Sequence, residues 1–166
     1  MTTPVDVLII GAGASGAAVY GLCAVPGTDG RQAANYGERL MSQAKRVLIV
    51  DDEESIRVLL RRILESIPGI EVTLADGCHE ALKLTSEQAY DLILLDLLMP
   101  EMGGIEVLTR IRAGSRNKAT AVIIVSVISD PDTRIVCTSL GVRDYVVKPI
   151  ERNAVLAAVN AQLQPA

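Results

Sequence analysis

From residue 45 onward, apolar positions follow two patterns in strict alternation. Short runs, most of them continuously apolar, fall at Val47–Val50, Ile70–Ala75, Leu92–Leu95, Ala121–Val125 and Asp144–Val147. Runs of this length and composition predict strands buried on both faces. Between and after them lie segments with helical spacing: Ser55–Ile67, Gly77–Glu87, Gly104–Ala113, Asp132–Leu140 and Arg152–Leu163. In the first of these, Ile56, Leu59, Leu60, Ile63, Leu64 and Ile67 form one stripe, while Arg57, Arg61 and Arg62 lie mostly elsewhere. Pro68-Gly69 then stops the helix. Five such β/α pairs predict an α/β fold, a doubly wound parallel sheet whose right-handed crossovers place helices on both faces.

Composition narrows the packing. Hydrophobic residues make up 49% of the 166, yet aromatics are 2%, with no Phe and no Trp. The core is therefore expected to consist of Ile, Leu, Val, Ala and Met. Net charge is −4 without any basic block, which argues against direct nucleic-acid binding or an anionic membrane surface. Cys23, Cys78 and Cys137 are odd in number and lack a CxxC, so reduced thiols are expected rather than a disulfide framework or zinc site. His79, the only histidine, adjoins Cys78; the plain reading is a surface coincidence, the other a catalytic pair. No apolar run approaches the roughly 20 residues of a membrane span. Asp6, rather than a basic region, precedes Val7–Ile10, so no secretory signal is read and a cytoplasmic location is expected.

The chain divides unequally. Residues 1–40 hold seven of the thirteen glycines, and Val25–Leu40 has no apolar periodicity and reads as a linker. We expect an appended segment over 1–40 and the α/β domain over 41–166, starting at Met41–Arg46.

The carboxyl ends of parallel strands meet at one edge, where ligands bind. There the first strand delivers Asp51 and Asp52, the third Asp96, the fourth Ser126 and the fifth Lys148. Converging carboxylates repel unless a cation joins them, and an open all-oxygen site suits Mg²⁺. Asp96 can act as a nucleophile that forms an acyl phosphate. A Lys148 ammonium would offset charge on the transferred group, and the Ser126 hydroxyl could hydrogen-bond it. Lys148-Pro149 is a candidate cis peptide that would aim the lysine over the sheet edge. Taken singly, each residue has a plainer reading. Asp51 to Glu54 could be an acidic first helical turn, Asp96 a loop residue and Ser126 an ordinary strand-end serine.

VLIVDDEESIR at 47–57, DLILLDLLMPEMGGIEVL at 91–108, VIIVS at 122–126 and DYVVKPI at 144–150 resemble the receiver domain of bacterial two-component response regulators. The separations Asp51–Asp96, Asp96–Ser126 and Ser126–Lys148 are 45, 30 and 22 residues, as in that family. The resemblance implies a flavodoxin-like sheet in the order 2-1-3-4-5, with phosphorylation of Asp96 by a sensor histidine kinase or phosphotransfer protein. It also implies Mg²⁺ held by Asp51, Asp52, Asp96 and the Leu98 backbone carbonyl, with Ser126 and Lys148 on the phosphoryl group. Tyr145 matches the family's aromatic switch, working with Ser126, though an ordinary half-buried aromatic is the alternative. Output is implied to pass through a changed surface around residues 131–162 to a downstream protein, and no metabolite-converting enzyme is implied. Because the chain ends soon after the fifth helix, a stand-alone regulator is expected. Leu98 and Ile128 are apolar where many relatives carry polar groups near the hydrolytic water, so the phosphoryl group is expected to be long-lived. Val127 is larger than the small residue common there and is expected to narrow access for small donors.

The front segment carries a different signal. Val5–Ile10 runs into Gly11-Ala12-Gly13-Ala14-Ser15-Gly16 and an expected helix, Ala17–Ala24. This strand–GxGxxG–helix order is that of a dinucleotide fingerprint. VDVLIIGAGASGAAV is similar to the start of glucose–methanol–choline FAD-dependent oxidoreductases. The second half is missing, since no strand ending in an acid follows about 20 residues on. We therefore expect an incomplete β/α fragment without cofactor, against a flavin or nicotinamide oxidoreductase as the competing function. A plain interaction module that is never phosphorylated is the third reading.

Overall fold

The computed structural model describes residues 9–12, 18–21, 44–114 and 116–163. It falls into two compact units, residues 1–43 and 44–166. The linker read at Val25–Leu40, the expected domain start at Met41, and Cys23 lie outside the described residues.

In the first unit, β1 (Ile9–Ala12) pairs antiparallel with β2 (Ala18–Gly21), in register Ile9↔Gly21 and Ala12↔Ala18. This corrects the expected β/α fragment, because the segment predicted as a helix over 17–24 is a strand at its centre. The physical reason is local. An eight-residue helix is below the length at which an isolated helix holds, and Gly21, Val19 and Tyr20 all lower helix propensity. Pairing with β1 instead satisfies the backbone. The glycine-rich stretch thus joins two antiparallel strands, and the strand–turn–helix context that a dinucleotide site requires is not met.

In the second unit, β3 (Lys45–Val50), β4 (Ile70–Ala75), β5 (Leu92–Leu95), β6 (Ala121–Ser126) and β7 (Asp144–Val147) form one parallel sheet. Its order β4-β3-β5-β6-β7 is the expected 2-1-3-4-5 arrangement. The crossovers are α1 (Glu54–Leu64), α2 (Cys78–Glu87), α3 (Gly104–Ala113) and α4 (Pro131–Ser139), with α5 (Arg152–Leu163) closing the domain. Strand side chains alternate between two cores, because successive residues point to opposite faces. Leu48, Val50, Ile93, Leu95, Val122 and Ile124 pack with α2, α3 and Cys137 of α4. Val47, Ile49, Leu92, Leu94, Ile123 and Val125 pack with Leu60, Ile63 and Leu64 of α1 and Val155 and Val159 of α5.

α1 ends three residues before the predicted Ile67. There Ser66 and Ile67 donate to the carbonyls three residues back, at 3.3 and 2.9 Å, in a tightened last turn. A residue preceding proline is disfavoured in the α region, and Gly69, at φ +78°, reverses the chain. Buried Asn117 pins the β5 entry: its Oδ1 accepts from Tyr90 N at 2.8 Å, and its Nδ2 donates to the Thr85 and Gln88 carbonyls at 2.7 and 2.8 Å. No helix among the described residues is long and apolar enough to cross a membrane.

Candidate functional site

The sheet's hydrogen-bond ladder runs one residue past three strand ends. Asp51 N donates to Ala75 O at 3.3 Å, Asp96 N to Val50 O at 2.9 Å, and Lys148 N to Ser126 O at 3.0 Å. Each polar residue that follows an apolar strand is thereby fixed at the same edge. Asp51, Asp96 and Ser126 are buried, at 1%, 3% and 0% exposure, while Asp52 is exposed.

Lys148 joins them. Its ammonium donates to Asp51 Oδ2 at 2.8 Å and to Asp96 Oδ2 at 2.7 Å, with Glu53 Oε1 4.0 Å away. The Lys148-Pro149 peptide is cis. Asp51 Oδ1 accepts from Glu53 N at 2.9 Å, and Asp96 Oδ1 from Leu98 N at 3.1 Å. Burial raises the Asp51 pKa, and the hydrogen bond from Lys148 opposes the rise without cancelling it. At Lys148 burial acts to lower the pKa, but the hydrogen bonds to Asp51 and Asp96 outweigh it and the net shift is upward.

Carboxylate oxygens of Asp51, Asp52 and Asp96 lie within 4.8 Å of one another. Three carboxylates against one ammonium leave a formal charge of −2, which one divalent cation offsets. An oxygen-only donor set with two buried members and one exposed fits Mg²⁺, which keeps several of its waters.

Ser126 ends β6, and its Oγ accepts from Ile128 N at 3.4 Å. Tyr145, on neighbouring β7, donates its hydroxyl to the Ile128 carbonyl, and the Arg134 guanidinium sits 4.5 Å over its ring. The loop after Ser126 is thus bonded to both side chains through one residue, Ile128. Leu98 and Val127 are 52% and 57% exposed.

The structure adds two residues that sequence reasoning did not single out. Arg57 donates to the Asp51 carbonyl at 2.7 Å, tying α1 to the acidic turn. Gly104, first residue of α3, approaches the Asp96 peptide so closely that a Cβ there would stand 2.0 Å from the Asp96 carbonyl oxygen. The double glycine in MPEMGG was the available signal for the second.

Residues 47–160 match the response regulator receiver domain family. The chain belongs to that family, the receiver domains of two-component signalling. It is similar to the transcriptional regulatory protein SrrA of Staphylococcus aureus, 38% identical over 121 residues, covering 73% of this chain and 48% of SrrA. The chain therefore spans about half the length of the curated relatives it matches. Among solved structures it is similar to chemotaxis protein CheY4 of Vibrio cholerae, at TM-score 0.67 and 29% identity over 71% of this chain and 98% of that one. The receiver domain of histidine kinase PA1611 from Pseudomonas aeruginosa, with magnesium coordinated in its active-site cleft, matches at TM-score 0.65 and 25% identity. That match covers 72% of this chain and 98% of the Pseudomonas domain.

Proposed function

We propose that residues 44–163 act as a phosphorylation-dependent switch that accepts a phosphoryl group on Asp96 from a histidine kinase or phosphotransfer protein. The observation that carries this reading is the Lys148 ammonium shared between buried Asp51 and Asp96 at the carboxyl edge of the sheet, with Asp52 completing the acidic cluster.

Asp51, Asp52, Asp96 and the Leu98 carbonyl would hold Mg²⁺. Bound there, the cation would offset negative charge on the transferred group. The chain's own residues do the rest. Asp96 attacks phosphorus with a carboxylate oxygen, the bond to the donor's imidazole nitrogen breaks, and that nitrogen keeps the electron pair. Lys148, already 2.7 Å from Asp96 Oδ2, turns part of its charge to the incoming phosphoryl oxygens. Ser126 donates its hydroxyl to one of them.

Ile128 lies between the two switch residues, since its amide bonds Ser126 and its carbonyl receives Tyr145. A pull on Ser126 would shift the loop that Tyr145 holds and bias the surface of α4, β7 and α5. The output is read by protein contact, in the cytoplasm. Every proposed site residue comes from this one unit. In a longer protein, as in a transcriptional regulator such as SrrA, the same surface would act on an attached region.

The test is nuclear magnetic resonance of the amides of residues 126–147 with and without a beryllofluoride phosphoryl mimic and Mg²⁺. The reading expects shifts at Ile128 and Tyr145 that vanish in Ser126→Ala. Unchanged spectra would contradict it.

A further inference from the structure

Besides the acidic cluster, one other group of donor atoms converges among the described residues. Cys78 opens α2, His79 follows it, and Glu101 stands in the loop between β5 and α3. Cys78 Sγ lies 3.4 Å from His79 Nδ1, and the same nitrogen lies 3.2 Å from Glu101 Oε2. Donor atoms of all three residues fall within 4.8 Å of one another.

The Cys78–His79 and His79–Glu101 separations are those a single tetrahedral ion imposes. With metal–sulfur bonds of about 2.3 Å and metal–nitrogen or –oxygen bonds of about 2.0 Å, tetrahedral angles put sulfur and nitrogen about 3.5 Å apart and nitrogen and oxygen about 3.3 Å apart. Hydrogen bonding accounts for part of the arrangement, since the Cys78 thiol also lies 3.9 Å from the Pro100 carbonyl. An imidazole nitrogen has one in-plane direction for a proton or a lone pair, yet a thiol and a carboxylate both close on Nδ1.

A tight turn places Glu101 at this loop position. Met102 N donates to Pro100 O at 2.7 Å, closing a γ-turn around Glu101 at φ +66°, a left-handed conformation that a glutamate rarely adopts. The buried thiol closes the inner side, while His79 and Glu101 side chains are 75% and 70% exposed, so the cluster opens to solvent.

We propose that Cys78, His79 and Glu101 form a second metal site, selective for a borderline transition ion of the Zn²⁺ class rather than for Mg²⁺. Thiolate and imidazole favour such an ion, whereas the Asp51–Asp52–Asp96 cluster offers only hard oxygens. On binding, the Cys78 thiol releases its proton to solvent as the metal–sulfur bond forms, and water fills the fourth position. Occupancy ties the start of α2 to the loop that follows Asp96.

The test uses the full chain, reduced, in excess Mg²⁺, titrated with Co²⁺ as the spectroscopic probe and then with Zn²⁺ in competition. Expected are a sulfur-to-cobalt charge-transfer band that Zn²⁺ removes, its loss in Cys78→Ser, and affinity weakened on the order of 10- to 100-fold in His79→Gln and Glu101→Gln. The last two variants change exposed side chains, so they keep the fold; Asp52→Asn, which alters only the oxygen cluster, leaves the band intact. Absence of the band in the wild type, its persistence in Cys78→Ser, or unchanged affinity in the other two variants would overturn the proposal.

Discussion

Replacing Gly104 by alanine reverses the sign that helix propensity alone dictates. At a helical position alanine ordinarily stabilises by about 1 kcal/mol relative to glycine. Here the added Cβ would stand 2.0 Å from the Asp96 carbonyl oxygen, 2.8 Å from Leu97 Cα and 2.9 Å from the Asp96 carbonyl carbon. All three are backbone atoms, so no rotamer change relieves the overlap. Bringing the closest contact to 3.0 Å needs a displacement of 1.0 Å (3.0 minus 2.0), in either the start of α3 or the Asp96 peptide. Overpacking of this kind costs about 1–3 kcal/mol, and three simultaneous contacts favour the upper end. Setting propensity against that leaves a net loss of about 2 kcal/mol, well inside the stability of an ordinary domain. In urea denaturation the midpoint should fall by about 1–2 M at an unchanged slope. Because the displaced peptide carries the proposed nucleophile, phosphorylation of Asp96 should slow on the order of 100-fold. Gly103→Ala is the control: its Cβ would meet only Leu97 O at 3.4 Å, and φ −66°, ψ 154° suit any residue. A Gly104→Ala protein with wild-type midpoint and rate would refute the reasoning.

Three further outcomes are expected. Lys148→Met leaves Asp51 and Asp96 buried without their shared cation, which should cost about 3–5 kcal/mol in chelator. Mg²⁺ should then raise its melting temperature more than it raises that of the wild type, as differential scanning calorimetry will register. Leu98→Asn combined with Ile128→Glu should shorten the phosphoryl lifetime roughly 10-fold or more by positioning water, followed by intact mass over time; an unchanged lifetime contradicts the role read for these apolar side chains. Asp130 caps α4 by accepting from Thr133 N at 2.9 Å, and that hydrogen bond depresses its pKa below the ordinary 3.8. A depressed carboxylate contributes stability above its unfolded value and loses it as pH falls through the folded one. The stability gap between wild type and Asp130→Ala, measured by urea titration, should therefore be full at neutral pH and narrow on acidification below 3.8.

The parallel sheet was legible because most strands are short apolar runs closed by a polar residue, and α3 and α5 fall on their predicted bounds. The convergence of the candidate site residues was legible for the same reason: Asp51, Asp96, Ser126 and Lys148 end or follow their strands at one edge. What stayed hidden depends on contacts made far along the chain. Asn117 bonds Thr85 and Tyr90, 32 and 27 residues away, and nothing in its neighbourhood announces that. Arg57 sits among arginines of the solvated face of α1, and its bond to the Asp51 carbonyl emerges only once the helix is docked. The His79–Cys78 pair looked incidental until the loop after β5 placed Glu101 beside it. In the front segment the glycine pattern matched a strand–turn–helix motif, whereas Ala18–Gly21 takes its backbone partner from Ile9–Ala12. A motif's spacing does not encode which segment supplies that partner.

The most direct test of the central claim is the intact mass of the protein after incubation with a small phosphodonor or a phosphorylated kinase in Mg²⁺. The wild type should gain the mass of one phosphoryl group, and Asp96→Ala should gain none. Absence of a gain from every donor, or an equal gain in Asp96→Ala, would contradict Asp96 as the phosphoacceptor.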